Sequence, residues 1–125
     1  MGRGRRHNGL VYDTCGRLDV LVNGAGLSPL YMDLSEVSER LFDKVIDVNL
    51  KGPFCVIAAA GPRMAAAGRG SIVNISSIEA VRPGRRELPY CAAKSGLNAL
   101  TNASRKRGRR ASGSTACCRV PSRLT

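Results

Sequence analysis

A phenol, an ammonium group and a hydroxyl stand at defined offsets in the second half of the sequence. Tyr90 and Lys94 are four residues apart, and Ser77 precedes Tyr90 by 13 positions. Residues four apart share one face of an α-helix, so these two side chains can approach each other. An ammonium group favours the ionised form of a neighbouring phenol, which would let Tyr90 donate and accept protons closer to neutral pH.

Two short apolar runs are predicted to be the strands that position these groups. LDVLVNGAG (18–26) stops at Gly-Ala-Gly, and SIVNISS (71–77) follows the turn residues GRG. Such runs are typical of strands buried on both faces of a parallel sheet. Asn23 and Ser77 would then stand at the carboxyl ends of neighbouring strands, where open α/β sheets bind their ligands.

A long helix is predicted between the strands, with Asp33 or Ser35 as its N-cap. Apolar residues recur there at helical spacing, namely Leu41, Phe42, Val45, Ile46 and Val48. Strand, helix and strand then form a βαβ unit with a right-handed crossover. A further helix opens at Pro89 and carries Tyr90 and Lys94.

Pro53 falls inside the pattern of the long helix and should kink it. A proline has no N–H, so Pro53 leaves the carbonyl four residues back, that of Asn49, without its helical partner. We expect this carbonyl to bind water or a neighbouring side chain.

The region from about residue 16 to residue 101 resembles the short-chain dehydrogenase/reductase family. VNGAG (22–26) is similar to the N-N-A-G motif of the family, with Gly24 in place of the second Asn. DVNLKGPF (47–54) resembles the segment that carries the family's catalytic Asn, which maps to Asn49.

The other two matching motifs contain Ser77, Tyr90 and Lys94. SIVNISS ends at the family's serine position, Ser77, and YCAAK is similar to its Y-x-x-x-K motif, which gives Tyr90 and Lys94. Y-x-x-x-K alone occurs often by chance, whereas four motifs in order and with family spacing are a specific signal.

The resemblance implies an NAD(P)-dependent oxidoreductase that transfers hydride between nicotinamide and a carbonyl or alcohol substrate. It assigns proton exchange to Tyr90 and binding of the substrate oxygen to Ser77. Lys94 would hold the nicotinamide ribose and assist Tyr90, and the backbone carbonyl of Asn49 would hold a water that leads protons to the lysine.

The resemblance also implies that the cofactor is NAD or NADP, and it implies no metal. Asn23, Ala25 and Gly26 would pass close to the adenosine side of this cofactor, in addition to the contacts of Tyr90 and Lys94 at its other end. The implied partner is a small-molecule substrate, and self-association through the helices is expected in this family.

The implied fold class is α/β, a partial Rossmann-like fold made of the βαβ unit and the catalytic helix. Nothing in residues 1–17 resembles the Gly-rich loop that seats a pyrophosphate on a helix N-terminus, so we expect the N-terminal nucleotide-binding half to be lacking. The predicted organisation is a basic segment (1–15), the partial domain (16–102) and a basic tail (103–125) that we expect to be disordered on its own.

The formal charge of +11 lies mostly at the two ends of the chain. Residues 1–17 carry +3, residues 18–102 carry +1 and residues 103–125 carry +7. A basic chain invites a nucleic-acid interpretation. The tail lacks interleaved aromatic residues and the middle has no basic stripe, so this interpretation ranks below the enzymatic one.

Other interpretations stay open for the whole chain and for single residues. The sequence after residue 102 is rich in Arg, Ala, Gly and Ser, which is also typical of a truncated or frameshifted, inactive fragment of the family. Ser76 and Ser77 could simply end a strand by bonding local backbone. Asn23 could satisfy a turn, and Asn49 could be a helix-kink residue.

The five cysteines form no C-x-x-C pair and have no His partner at metal spacing. An odd count without a secretory signal favours reduced thiols and a cytoplasmic location. The most apolar stretch, 54–67, is too short and too interrupted to span a bilayer.

Overall fold

The computed structural model describes residues 2–104 and 115–119. Its helices and strands are, in chain order, α1 (Gly2–Cys15), β1 (Val20–Asn23), α2 (Glu39–Ile46), α3 (Gly52–Ala66), β2 (Ser71–Ile75), α4 (Leu88–Ala103) and β3 (Thr115–Arg119). Two short 3-10 turns, Leu34–Glu36 and Ile78–Ala80, precede α2 and α4. A π-helical segment, Asp47–Lys51, joins α2 to α3.

The two predicted strands form a parallel pair, as the βαβ interpretation requires. Val20 is opposite Ser71 and Asn23 is opposite Asn74, so the carboxyl ends of β1 and β2 lie side by side. The α/β class and the partial Rossmann-like fold are therefore confirmed. Asn23, the last residue of β1, and Ser77, two residues after the end of β2, therefore belong to this shared edge.

The sheet has a third strand that the sequence does not predict. β3 pairs antiparallel with β2, with Arg119 opposite Ser71 and Thr115 opposite Ile75. The expectation of disorder throughout 103–125 is therefore wrong at 115–119, because the second edge of β2 offers unpaired N–H and C=O groups to any extended segment. The expectation for 105–114 and 120–125 lies outside the described residues, and the boundaries at 15 and 102 stay predictions.

The long helix begins later than predicted. Asp33 caps only the 3-10 turn, by accepting a hydrogen bond from Ser35 N at 2.9 Å. The cap of α2 is Ser38, whose hydroxyl accepts from Leu41 N at 3.2 Å. Both caps use short oxygen-bearing side chains that satisfy free N–H groups.

A π-helical segment directly precedes the position of the predicted kink at Pro53, and the kink itself stays a prediction. Gly52 N donates to the carbonyl of Asp47, five residues back, and Pro53 then occupies the first turn of α3. A proline is tolerated in a first helical turn because the N–H groups there have no helical partners. That the Asn49 carbonyl is unpaired stays a prediction.

The core lies between α3 and the sheet. Met64 on α3 and Ile72 on β2 are buried, with Leu18, Leu21 and Ile57 packed against them. Full burial of each such side chain stabilises the fold by about 1.5–3 kcal/mol. Helix α3, which directly precedes β2 in the chain, thus covers one face of the sheet.

Strand β1 is less buried than its apolar sequence indicates. Val20 and Val22 are 57% and 58% exposed, while Leu21 and Asn23, which alternate with them, are half-buried. The prediction of burial on both faces is therefore wrong for β1, because in the described chain β1 is an edge strand with one face uncovered.

The N-terminal segment, expected only to be basic, forms helix α1. The Tyr12 ring of α1 lies 4.5 Å from the guanidinium carbon of Arg63 on α3, a cation–π contact. Within the described residues, no helix is long and apolar enough to cross a membrane. Those residues also include no group of three or more His, Cys, Asp or Glu side chains that could hold a metal ion.

Candidate active site

A contact between Tyr90 and Lys94 lies at the centre of the candidate site. Both residues belong to α4, and Lys94 Nζ is 5.6 Å from the centre of the Tyr90 ring. A cation at this distance from an aromatic face is attracted by the ring quadrupole. The prediction that the two side chains share one helix face is confirmed, whereas their chemical roles stay predictions.

Lys94 reaches from α4 to the carboxyl end of β2. The residue is only 3% exposed, and Nζ donates a hydrogen bond to the carbonyl oxygen of Ile75 at 2.9 Å. Burial disfavours the charged ammonium group and lowers the pKa of Lys94 below its ordinary value. Because Ile75 ends β2 and Ser77 follows two residues later, Lys94 links α4 to the predicted serine segment.

The two adjacent serines have different surroundings. Ser77 is half-buried, and its oxygen accepts a hydrogen bond from Glu79 N at 3.2 Å, which caps the 3-10 turn. This is the local backbone role that the sequence leaves open, and it does not consume the hydroxyl hydrogen. Ser76 is buried, and its oxygen has no hydrogen-bond partner among the described residues.

The side chain of Asn49 holds the loop after β1. Its Oδ1 accepts from Leu27 N at 3.1 Å, and its Nδ2 donates to the carbonyls of Leu27 at 2.7 Å and Val45 at 2.8 Å. The residue is fully buried in the π-helical segment. The Asn49 side-chain amide is thus committed to structure, and the role expected of its backbone carbonyl stays a prediction.

Asn23 belongs to a polar chain that crosses the sheet. Its Nδ2 donates to Asn74 Oδ1 at 2.8 Å, and Asn74 Nδ2 donates to Thr101 Oγ1 on α4 at 2.9 Å. Thr101 in turn donates to the carbonyl of Leu97. Asn23 therefore connects β1 to β2 and, through Asn74, to the helix that carries Tyr90.

The loop residues predicted to contact the cofactor are exposed where β1 ends. Gly24, Ala25 and Gly26 all face solvent. A Cβ added at Gly24 would lie 3.8 Å from Ile75 Cγ1, an ordinary contact. Gly24 is not among the glycines with positive φ, so its backbone is one that a residue with a side chain can adopt.

Comparison with known proteins decides the family. Residues 8–112 match the sequence profile described as short chain dehydrogenase. The chain belongs to the short-chain dehydrogenase family. The resemblance noted from the four motifs is thereby confirmed, and it extends over most of the chain.

Members of the short-chain dehydrogenase family in distant organisms are similar to this chain. An uncharacterized oxidoreductase from Thermotoga maritima is 44% identical over 89 residues, which are 71% of this chain and 35% of that protein. Dehydrogenase/reductase SDR family member 4 from Homo sapiens is 37% identical over 86 residues, 69% of this chain and 31% of that protein. The chain thus spans about a third of the length of these relatives.

The fold comparison agrees with the family assignment. The crystal structure of a metagenomic short-chain oxidoreductase in complex with NADP superimposes with a TM-score of 0.76 at 38% sequence identity. The match covers 80% of this chain and 45% of that one. Short-chain dehydrogenases use NAD or NADP, in line with the predicted cofactors.

Sequence reasoning missed two residues that build this short-chain dehydrogenase site. The Tyr31 hydroxyl accepts from Leu88 N at 2.8 Å and so fixes the first residue of α4. Glu79 accepts from Gly84 N at 2.6 Å across the loop between Ser77 and Tyr90. The Tyr31 contact has no local sequence signal, because it joins residues that are 57 positions apart. The Glu79 contact closes a five-residue turn that carries no recognisable motif.

Proposed function

We propose that this chain is the catalytic segment of an NAD(P)-dependent oxidoreductase that interconverts a carbonyl compound and an alcohol. One observation carries this proposal. The buried Lys94 ammonium group lies between the Tyr90 ring and the Ile75 carbonyl, at the carboxyl end of β2. In an open α/β sheet, that edge is where ligands bind.

The donors of Lys94 fit the sugar of a nicotinamide nucleotide. An ammonium group has three N–H donors, and the described hydrogen bond to Ile75 uses one of them. Two neighbouring ribose hydroxyls would accept the others, so Lys94 and Tyr90 would hold this end of the cofactor. Asn23, Ala25 and Gly26 would lie near its adenosine side, with the loop backbone exposed for contact.

The bound nucleotide would supply or accept the hydride, and the residues of the chain would handle the proton. In reduction, Tyr90 gives its hydroxyl proton to the substrate oxygen, and in oxidation it takes that proton back. Ser77 donates its hydroxyl hydrogen to the same oxygen, because its lone pair already accepts from Glu79 N. Lys94 orients the nucleotide and keeps positive charge beside Tyr90.

Asn49 would act as a positioning residue and, through its carbonyl, as a water site. Its amide holds Leu27, so the loop after β1 keeps its place relative to α2. The carbonyl lies one turn before Pro53, which has no N–H to offer it. A water held there would lead protons towards Lys94.

The proposal also covers the reaction class, self-association and location of the protein. The relatives are named oxidoreductase and dehydrogenase/reductase, and one similar structure contains NADP. We propose the same reaction class here, with a small-molecule substrate. Self-association is supported by Phe42 on α2 and Phe54 on α3, which are 44% and 45% exposed. A cytoplasmic location is proposed from the sequence alone.

A chimaera tests this function within a complete enzyme. Residues 18–101 would replace the matching segment of the metagenomic short-chain oxidoreductase, and NADPH oxidation with the parent's substrates would be followed at 340 nm. We expect activity that Tyr90→Phe lowers by about 10³-fold. Tyr31→Phe is the matched control and should keep most of the activity, because Tyr31 bonds backbone. Equal losses in both variants would refute the assignment.

The alternative of an inactive fragment has an observation in its favour. The sequence after residue 102 is rich in Arg, Ala, Gly and Ser and has lost the pattern of the family. In that case residues 18–101 would still work in the chimaera, and the alternative adds that the 125-residue chain has no oxidoreductase activity of its own. The basic run at 105–110, on which the nucleic-acid alternative depends, lies outside the described residues.

A further inference from the structure

The segment between Ser77 and Tyr90 has few backbone hydrogen bonds of its own. After the 3-10 turn, the described backbone bonds near its middle are those of Arg82 N to Ile78 O and of Glu87 N to Gly84 O. A loop with so few bonds would move relative to α4 unless a side chain held it. The described structure supplies such a side chain in Glu79.

Glu79 makes contacts in three directions. Its backbone N donates to Ser77 Oγ at 3.2 Å. Its carboxylate Oε2 accepts from Gly84 N at 2.6 Å and lies 3.7 Å from the sulfur of Cys91. Cys91 immediately follows Tyr90 on α4, so a single residue touches both ends of the segment that separates Ser77 from Tyr90.

The chemistry of these contacts favours a fixed arrangement. A backbone N–H bonded to a carboxylate is a charge-assisted hydrogen bond, which is shorter and stronger than a neutral one. Burial raises the pKa of the Cys91 thiol, so the sulfur keeps its hydrogen and can donate to Glu79. Ser95 adds a parallel link, because its hydroxyl donates to the Ala80 carbonyl at 2.9 Å.

We propose that Glu79 is a positioning residue that fixes the 78–87 loop on α4 and thereby sets Ser77 against Tyr90. The proposal rests on the proposed function for its catalytic consequence and on the contacts alone for its structural one. Glu79 touches no reacting atom in this scheme. It acts through the Ser77 cap on one side and through Gly84 and Cys91 on the other.

Gly84 gives an independent way to break the contact. A Cβ at this position would lie 3.0 Å from Glu79 Oε2, so Gly84→Ala would push the carboxylate away without removing it. Glu79→Gln keeps an amide oxygen that can still accept from Gly84 N. Glu79→Ala removes the acceptor altogether. These three variants separate the loss of the contact from the loss of the charge.

Amide hydrogen exchange in the 125-residue chain, read by NMR at Gly84, tests the structural part. Glu79→Ala and Gly84→Ala should each speed exchange around this loop by about tenfold, and Glu79→Gln should restore slow exchange. Glu36→Ala is the matched control, because the Glu36 carboxylate likewise accepts a backbone N–H, that of Met32 at 3.1 Å. It should leave Gly84 unchanged. Unchanged exchange at Gly84 in Glu79→Ala would overturn the proposal.

Kinetics of the chimaera test the positioning part. Glu79→Ala should lower kcat about tenfold with the KM for NADPH within twofold, and Glu79→Gln should recover most of kcat. Faster exchange at Gly84 with an unchanged kcat would show a structural anchor only and overturn the positioning role. A chimaera that is inactive before any substitution would count against the proposed function, and the exchange result alone would then decide whether Glu79 holds the loop.

Discussion

The ammonium nitrogen of Lys94 lies 5.6 Å from the centre of the Tyr90 ring, on the same face of α4. The same nitrogen donates to the carbonyl of Ile75, so the lysine is held between a helix and a strand end. A buried cation is costly unless it has such partners. The Tyr90 ring and the Ile75 carbonyl are these partners of Lys94, and this arrangement is the physical basis of the proposed function.

The lowered pKa of Lys94 predicts how stability depends on pH. Folding disfavours the charged lysine, so its cost is present below the lowered pKa and disappears as the pH rises towards the ordinary value of about 10.4. Wild type should therefore gain stability relative to Lys94→Met between neutral pH and about pH 10. Urea unfolding at several pH values measures this, with exposed Lys44→Met as the control. A difference in the free energy of unfolding between wild type and Lys94→Met that stays constant with pH would contradict the prediction.

Asn49 is predicted to be the most sensitive polar residue in the loop region. Asn49→Ala removes three hydrogen bonds and leaves backbone groups of the half-buried Leu27 and the buried Val45 without this partner. We expect a loss of about 2–4 kcal/mol in the free energy of unfolding. Asn102→Ala, at an exposed position of α4, should change it by less than about 0.5 kcal/mol. Equal effects of the two substitutions would show that the Asn49 contacts do not stabilise the fold.

Gly70 and Gly24 are predicted to respond in opposite directions to a methyl group. A Cβ at Gly70 would lie 2.6 Å from Met64 Cβ and Cγ, so Gly70→Ala should destabilise the chain by about 1–3 kcal/mol. At Gly24 the nearest described atom would be 3.8 Å away, and Gly24→Ala should stabilise by up to about 1 kcal/mol. Thermal unfolding of both variants checks this. A stable Gly70→Ala would mean that Met64 is not packed against the turn.

Nucleotide binding by the 125-residue chain is predicted to be negligible. Lys94 and Tyr90 can hold only the ribose end of the cofactor, and the sequence has no Gly-rich loop to seat the pyrophosphate. Calorimetric titration with NADH and NADPH should give no saturable heat up to about 1 mM, a concentration that corresponds to about −4 kcal/mol of binding free energy. Micromolar binding would show that other residues of the chain hold the phosphates.

The strands and helices that have a local pattern of apolar residues could be predicted from the sequence. The apolar runs at 18–26 and 71–77 predicted β1 and β2, and their parallel pairing followed from the long helix between them. β3 was missed because its pairing depends on the free edge of β2. The Arg-rich sequence that contains β3 has no periodic pattern of apolar residues. The exposure of Val20 was missed because it depends on which elements cover the sheet.

The candidate site shows the same division. Tyr90 and Lys94 could be placed together because four residues make one helical turn. The side-chain partners of Asn49 could not be predicted, because Leu27 is 22 residues away and meets it only in the folded chain. The same holds for Tyr31 and Leu88, which are 57 residues apart.

A double-mutant cycle on Tyr90 and Lys94 tests the central claim most directly. The measured quantity is kcat/KM of the chimaera for the wild-type segment, Tyr90→Phe, Lys94→Met and the pair. If the two residues act as one unit, the double variant should lose no more than about as much as Tyr90→Phe alone. Losses that multiply, each residue contributing independently, would contradict the account.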